Sequence, residues 1–456
     1  MDSISEILRD FSILALLYLV GFFLRKHIKF LQNCYIPASL LGGFIGLLLG
    51  PQVLGSVSPI YLPIPDSIAG LAGVLICVIM GVSFLGVERA PSGKTAVATT
   101  VTSAATYQAQ LLIGLVVAFL VGSQFDLPMA FGFTGIYGFY SGHGTAAATG
   151  SAFIEQGWAD GLSVATTVAT VGLMSGIICG IILINWGVRK GFAQVVDKPA
   201  EMPPEVKCGY VPVSKRKSIG MGVSYPDVLD PLALQVGFCL LTYGGGLVIR
   251  NALIAIWAPF KEIPLFAVCL LMGVVINKIM FATKRGDYLD RATITRISGF
   301  LLEIMICSAV ATTSIEVFTT YLFPLVVLSI GLILVNILMC FFVGYKVLKT
   351  DWFESAVAIY GTYSGVLATG LLLVKTIDPD NKTSGAINAT AAAAISNAWM
   401  LPYIALGPAL SFRLPPLLMI GVTAVAFIAI MIILRIGFWN KDRRISDWFR
   451  KSASTK

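Results

Sequence analysis

Charged residues are scarce in this sequence. Asp, Glu, Lys and Arg make up 12% of the 456 residues, whereas hydrophobic residues make up 57%. Soluble domains carry roughly 25% charged residues, so the composition excludes a water-facing globule. The apolar residues form runs of about 18 to 28, long enough to cross a hydrocarbon core of roughly 30 Å as helices. We therefore predict an all-α polytopic membrane protein in the lipid bilayer, since a β-barrel would show short alternating segments.

Several chemical signatures are also missing. No G-x-x-x-x-G-K-[ST] run occurs, so ATP-driven transport has no support. The chain has two histidines, and its eight cysteines lack C-x-x-C spacing, so no metal site, beyond a site for Na⁺, and no cofactor is predicted. The sequence contains no convergent set of acid, base and nucleophile, so it does not predict an enzyme. The net charge of +8 comes from a few loops and the tail, which indicates membrane orientation and not nucleic-acid binding.

About eleven segments are predicted to be transmembrane helices. They are 11–25, 36–54, 67–87, 95–122, 161–187, 231–257, 262–281, 297–317, 319–346, 385–411 and 415–438. Two further segments, 128–152 and 353–375, are interrupted by Gly, Ser and Thr and make poor continuous helices. If each segment returns to the side of the membrane from which it entered, nearly all basic clusters become cytoplasmic. We therefore predict two re-entrant segments, an outside N-terminus and a cytoplasmic C-terminus in the cell's inner membrane.

The two interrupted segments contain the same heptapeptide, I-Y-G-x-Y-S-G, at 136–142 and 359–365. An Ile-Pro pair occurs at 36–37 and again at 263–264, and the helices that follow it match from 67 and from 296. Five predicted crossings separate the copies of Ile-Pro, and an odd number inverts the second copy. Inverted repeats whose broken helices meet near the midplane are typical of secondary transporters.

The repeat and the charge pattern divide the chain into four predicted parts. They are an N-terminal membrane half, 1–187, with repeat 1 at 36–187; a cytoplasmic basic loop, 188–230; a C-terminal membrane half, 231–411, with repeat 2 at 262–411; and an extra C-terminal helix with a basic cytoplasmic tail, 412–456.

The run S-G-H-G-T in the first heptapeptide region is the strongest candidate for a binding site. Gly142 and Gly144 allow close approach to backbone N–H groups, and Ser141 and Thr145 add hydroxyls. A helix that starts here would favour an anion such as a carboxylate, and free carbonyls at such breaks suit Na⁺. His143 has two interpretations: a neutral histidine hydrogen-bonded to a neighbouring loop, or a direct role in substrate binding or coupling.

Glu303 is a carboxylate inside an apolar helix, where ionisable groups are usually functional. The alternative is a structural pair with Arg296 or with another helix. Asn336, Asn388 and Asn397 fit either interhelical hydrogen bonds or ion ligation. The residues predicted to take part in ion coupling are Glu303, Thr149, Thr369 and Asn388.

At Y-S-G-H-G-T-A-A-A-T-G the sequence resembles the bacterial sodium/glutamate symporter family, whose first re-entrant loop carries a G-G-H-G-T-type motif. C-Y-I-P-A-S-L-L-G-G, from Cys34, is similar to an early element of that family. The resemblance implies Na⁺-coupled import of a small acidic amino acid through two inverted five-helix domains, and a homodimer. By position it implies a substrate site at Ser141 to Thr145, Ser364 and Gly365. Ser141 departs from the family's usual Gly.

Three functions fit these observations. The first is Na⁺-coupled symport of glutamate or another small organic anion by alternating access. The second is a proton-coupled carrier or exchanger of an organic anion, in which Glu303 or His143 titrates. The third is a non-transporting membrane receptor, although the loop at 188–230 and the tail are too short to form a signalling domain.

Overall fold

The computed structural model describes residues 2–33, 36–87, 94–140, 142–195, 218, 220, 222–225, 227–257, 260, 264–348, 351–378 and 382–443. All regular elements in these ranges are helices, as the sequence predicts. Most of the basic loop, the end of the tail and the predicted site residue Ser141 lie outside the described residues.

The described residues in the first part of the chain form nine α-helices. They are α1 (Asp2–His27), α2 (Lys29–Asn33), α3 (Ala38–Leu49), α4 (Leu54–Val57), α5 (Asp66–Gly81), α6 (Lys94–Val121), α7 (Ala130–Gly135), α8 (Gly142–Glu155) and α9 (Gly161–Arg189). A π-helix, Ile136–Tyr140, follows α7 directly.

The second part of the chain forms ten more. They are α10 (Pro231–Ile256), α11 (Leu265–Ala282), α12 (Arg291–Ala311), α13 (Ile315–Thr320), α14 (Leu322–Ile337), α15 (Gly344–Val347), α16 (Trp352–Ser364), α17 (Leu367–Lys375), α18 (Gly385–Arg413) and α19 (Pro416–Gly437). A second π-helix, Leu338–Val343, joins α14 to α15.

Nine helical runs among the described residues are long and apolar enough to cross a membrane. They are α1, α3 with α4, α6, α9, α10, α11, α12, α14 with α15, and α19. The chain is therefore a multi-pass membrane protein. Two other predicted crossings correspond to α5, which has only 16 residues, and to α18, which contains Pro402 and Pro408. The count of eleven crossings stays a prediction.

Helix α6 carries many polar residues into the core of the protein. Its threonines satisfy their hydroxyls within the helix: Thr102 Oγ1 donates to the Ala98 carbonyl at 2.8 Å, and Thr106 Oγ1 donates to the Thr102 carbonyl at 2.9 Å. Such back-bonding lets a hydroxyl be buried without a partner from another helix. The longer amides of Gln108 and Gln110 instead reach other elements.

Helix packing in the second half repeats that of the first. Helix α1 packs on α3, and α10 packs on α11; α3 in turn packs on α12, whereas α11 packs on α5. One contact of the α1–α3 pair has a counterpart in the α10–α11 pair. A Cβ on Gly21 would lie 2.7 Å from the Gly42 nitrogen, and one on Gly246 would lie 2.6 Å from Cys269 Sγ. Such reciprocal contacts are the pattern expected of inverted repeats.

Both interrupted segments break at the shared motif, and the two arms of each pack against each other. In the first, the π-helix ends at Tyr140 and α8 starts at Gly142, whose φ is +65°. In the second, α16 and α17 approach closely, since a Cβ on Gly361 would lie 2.7 Å from the Gly370 Cα. The longest arm is α8 with 14 residues, about 21 Å of helix.

The glycines at these contacts predict unequal effects of added methyl groups. A Cβ on Gly273 would collide with the Gly81 carbonyl in the α11–α5 contact, whereas a Cβ on Gly237 would meet no atom within 4 Å. We expect Gly273→Ala to lower the free energy of unfolding by about 1–3 kcal/mol. Gly237→Ala should change it by less than about 1 kcal/mol, in the stabilising direction. Thermal unfolding in detergent measures both, and equal melting temperatures would contradict this packing.

Candidate functional site

The two breaks meet each other inside the protein. A Cβ on Gly142 would lie 2.7 Å from Val366 Cγ1 and 3.4 Å from the Gly365 carbonyl oxygen. The rings of Tyr140 and Tyr363, which occupy the same position in the two heptapeptides, have centroids 4.2 Å apart. We call residues 140 and 142–145 the first tip and residues 362–367 the second tip. The shared motif therefore builds two backbone breaks that contact one another.

A cavity of about 240 Å³ lies beside both tips. Among the described residues that line it, every polar side chain carries a hydroxyl group, and the other residues are apolar. The hydroxyls belong to Ser83, Tyr140, Thr145 and Thr362, and the apolar residues include Met80, Leu270 and Met400. A mostly apolar cavity with a few converging polar groups is the usual form of a small-molecule site.

The helix ends at the tips have opposite polarity. Helices α8 and α17 both begin there, so their first N–H groups and the positive ends of their dipoles face the contact region. The π-helix after α7 and helix α16 both end there, so they bring unpaired carbonyls. An anion can bind at the first kind of end and a cation at the second.

Two buried amide side chains support the second tip. The Tyr363 carbonyl accepts hydrogen bonds from Gln110 Nε2 of α6 at 2.7 Å and from Asn336 Nδ2 of α14 at 2.9 Å. Asn336 Nδ2 also donates to Ser364 Oγ at 3.1 Å, and Gln110 Nε2 donates to Asn336 Oδ1 at 2.7 Å. These bonds satisfy a carbonyl that the break in α16 would leave unpaired in the core.

His143 is buried in the first tip, with 6% of its surface exposed. Its Nε2 lies 3.0 Å from Thr170 Oγ1 of α9. Because Thr170 donates its own hydrogen to the Thr166 carbonyl, the hydroxyl oxygen is the acceptor and Nε2 is the donor. The histidine is thus held by a neighbouring helix and not by a loop, which makes it a fixed part of the tip.

Most of the predicted site residues that the structure describes lie at or near the tips. Thr145 lines the cavity, and Thr369 lies in the first turn of α17, where its Oγ1 is 2.9 Å from the Cβ position of Gly365. A Cβ on Gly144 would touch Leu302 of α12. Thr149 lies one turn further along α8 and donates to the Thr145 carbonyl at 2.7 Å.

Two predicted ion-coupling residues lie away from the tip contact. Glu303 follows Leu302 on α12 but interacts electrostatically with Tyr18 of α1. Its Oε2 is buried and has no hydrogen-bond partner among the described residues. Asn388 donates to Ser384 Oγ at 2.9 Å in the first turn of α18. The Ser384 backbone N–H donates to Asp351, which precedes α16. The 13 residues of α16 place Asp351 about 20 Å from the end of that helix at the second tip.

Carboxylates connect the base of the second hairpin, which is formed by α16 and α17, to adjacent loops. Glu354 Oε1 accepts from the Gln194 backbone N–H at 2.8 Å, and Asp378 accepts from the backbone N–H groups of Lys382 and Thr383 at 2.7 and 2.8 Å. Burial alone would raise the pKa of Asp378, but the hydrogen bonds from Thr383 and Lys382 outweigh it and lower that pKa. The base of the hairpin is therefore anchored independently of its tip.

Sequence reasoning missed the partners that hold the tips, above all Gln110 and Thr170. Both lie in long apolar helices, and neither belongs to a motif. A signal for Gln110 nevertheless exists, because Gln110 and Asn336 are 226 residues apart in the chain. That separation lies between the separation of the two heptapeptides and the separation of the two Ile-Pro pairs. Gln110 and Asn336 are therefore in register with the repeat.

A designed disulfide tests the position of the second tip against α9. A Cβ on Gly176 would lie 3.1 Å from the Ser364 Cβ, close to the Cβ separation of about 3.5–4.5 Å in disulfides. We expect Gly176→Cys/Ser364→Cys to cross-link under mild oxidation. After protease cleavage at a site inserted within 196–217, the two fragments should stay joined on a non-reducing gel. Because Cys179 lies nearby, Ser364→Cys alone is the control and should give separate fragments. Separate fragments in the double variant would contradict the geometry.

Comparison with known proteins identifies a family. A family model described as sodium/glutamate symporter matches residues 4–371. The match begins in α1 and ends within α17, so it includes both tips and leaves α18 and α19 beyond it. A comparison with curated proteins found no match.

Proposed function

The chain belongs to the sodium/glutamate symporter family, and we propose that it imports glutamate or another small organic anion together with Na⁺ by alternating access. The family is one of transporters, and the helical membrane architecture agrees with it. The observation that carries the proposal is the contact of two broken helices beside a cavity. The proposed partners are the solute, the bilayer and, from the family resemblance, a second copy of the chain.

The proposed topology is a pair of inverted repeats, 36–187 and 262–411, with 128–152 and 353–375 re-entrant from opposite sides. Three features support it: the reciprocal helix contacts, hairpin arms of at most 14 residues, and the basic loops of the sequence, which this topology collects on one side. Spanning helices need about 20 residues, so no single arm is long enough. We propose an outside N-terminus and a cytoplasmic C-terminus in the inner membrane.

Substrate binding is proposed at the meeting point of α8 and α17. A carboxylate of the solute would accept hydrogen bonds from the N–H groups that open these helices, near Gly142, Gly144 and Gly365. Hydroxyls of Ser141, Thr145 and Ser364 would add polar contacts. His143, fixed by Thr170, would set the shape of the first tip.

A second cavity next to the first tip supports alternating access. It has a volume of about 290 Å³ and is lined by Thr170, the partner of His143, and by Thr313 and Ile315 after α12. In the proposed orientation these residues lie towards the outside. The first cavity is lined by Ser83 and Phe84, which precede a cytoplasmic loop. Two cavities on either side of the tips suit a carrier that opens them in turn.

Proton coupling is the second candidate, and one observation favours it. The Oε2 atom of Glu303 is buried without a hydrogen-bond partner among the described residues. A carboxyl in such a place is a candidate for proton uptake and release.

Uptake into proteoliposomes separates the two candidates. We expect an inward Na⁺ gradient to drive accumulation of labelled glutamate or another small anion against its gradient. A pH gradient without Na⁺ should drive none. Vesicles with equal Na⁺ on both sides are the control. Accumulation that follows the pH gradient and ignores Na⁺ would replace symport with Na⁺ by proton coupling.

His143 provides a matched test of the first tip. We expect His143→Ala to reduce the initial rate of uptake by about 100-fold or more, because loss of its hydrogen bond to α9 frees the tip. The variant should still elute as a single folded species in detergent. His27→Ala is the control, since His27 is exposed at the end of α1 and should transport normally. Wild-type uptake kinetics in His143→Ala would exclude a role of this side chain in transport.

A further inference from the structure

Gln110 and Asn336 occupy equivalent positions in the two halves of the chain, in register with the repeat. They lie on helices α6 and α14, which pack against each other. Both residues are fully buried, and their amides are in direct contact at 2.7 Å. Two polar side chains at matched positions therefore meet where the two halves join.

The hydrogen bonds of Gln110 are unevenly distributed between the two ends of its amide. Both hydrogens of Nε2 are used, one on Asn336 Oδ1 and one on the Tyr363 carbonyl, each at 2.7 Å. Oε1 is buried and has no hydrogen-bond partner among the described residues. A buried acceptor without a partner is uncommon and calls for an explanation, such as an ion.

Two neutral oxygens accept hydrogen bonds from the amide nitrogen of Gln110. They are Asn336 Oδ1 and the Tyr363 carbonyl oxygen. Ser364 Oγ lies close to them and accepts a hydrogen bond from Asn336 Nδ2. The nitrogen and oxygen of a carboxamide have nearly the same shape. Rotation of the Gln110 amide by half a turn would place Oε1 among these oxygens, and converging lone pairs need a cation between them.

The electrostatic setting also favours a cation at this point. The Tyr363 carbonyl belongs to the last turn of α16, which is the negative end of the helix dipole. Carboxylate-rich sites are typical of Ca²⁺, and Mg²⁺ usually needs at least one carboxylate. A cluster of amide, carbonyl and hydroxyl oxygens without a carboxylate therefore suits a monovalent ion.

We propose that Gln110 Oε1, Asn336 Oδ1, the Tyr363 carbonyl and Ser364 Oγ form a binding site for Na⁺. This inference rests on the proposed Na⁺ symport and assigns the ion to residues of α6, α14 and the second tip. The ion replaces the Gln110 hydrogen bond on Tyr363, so its binding acts on the backbone of the second tip. Val366 of that tip touches Gly142 of the first, which links ion binding to the proposed substrate site.

Direct Na⁺ binding to the purified protein tests the site. Wild-type protein in detergent is titrated with NaCl, with choline chloride keeping the ionic strength constant, and the melting temperature is followed. A ligand that binds only the folded state raises its free energy of unfolding by RT ln(1 + [L]/Kd). Fitting the rise in melting temperature to this relation gives the Na⁺ dissociation constant, which we call the Na⁺ midpoint. In Gln110→Leu, this midpoint should be about tenfold higher or more. The same shift is expected in the Na⁺ concentration for half-maximal uptake.

Gln108→Leu is the matched control. Gln108 lies on the same helix, is also buried and also has an amide oxygen without a partner among the described residues, but its nitrogen donates to Tyr403 of α18. Its Na⁺ midpoint should stay within about twofold of the wild-type value. An equal shift in both variants would overturn the assignment, as would an unchanged midpoint in Gln110→Leu.

Gln110→Glu is the second variant, for use if Gln110→Leu does not fold. It places two oxygens at the site and removes the donor, so the Na⁺ midpoint should fall by about tenfold; an unchanged midpoint overturns the site. Uptake by the wild type distinguishes the two proposals. Na⁺-driven uptake together with unchanged midpoints in the variants rejects this site and keeps the symport. A wild type with neither a Na⁺-specific rise nor Na⁺-driven uptake rejects both.

Discussion

Backbone polar groups at membrane depth must find partners inside the protein, and the structure depends on how this constraint is met at two places. A continuous helix satisfies its own N–H and carbonyl groups, but a break leaves several unpaired. Both breaks of this chain occur at the same motif and are placed against each other in the core. The amides of Gln110 and Asn336 satisfy the Tyr363 carbonyl. Helix α6 supplies one of these amides, and threonines of the same helix satisfy their hydroxyls within it.

The two tips differ in the groups that hold them. The first contains His143, which binds Thr170 of α9; the second contains Val366 and Leu367 in the corresponding place and is held by α6 and α14. In the proposed function, the first tip, with its helix N-terminus and hydroxyls, would bind an anion, and the carbonyl end of α16 would bind a cation. Direct contact between the tips would then provide the physical link that the proposed coupling requires.

Glycine contacts determine how closely these elements approach. The α16–α17 hairpin closes on Gly361 and Gly370, and α11 meets α5 where Gly273 faces Gly81. In a membrane, small residues at helix contacts replace the hydrophobic driving force that acts in water. A methyl group at such positions would separate helices that carry the tips. The close packing of the helices around the site therefore determines the geometry within it.

Hydropathy, interrupted segments and the repeated motif are local properties, and they are enough to predict the membrane class, the long apolar helices, the breaks near 141 and 365 and the family. The tertiary structure sets which polar side chains meet. It brought Thr145 and Thr369 to the tips, left Asn388 at the far end of α16 and placed Glu303 near Tyr18 of α1. Gln110 gave no motif because its role exists only through Asn336 and Tyr363, which lie in the other half of the chain. Such contacts depend on how helices pack, and hydropathy carries no information about which face of one apolar helix meets another.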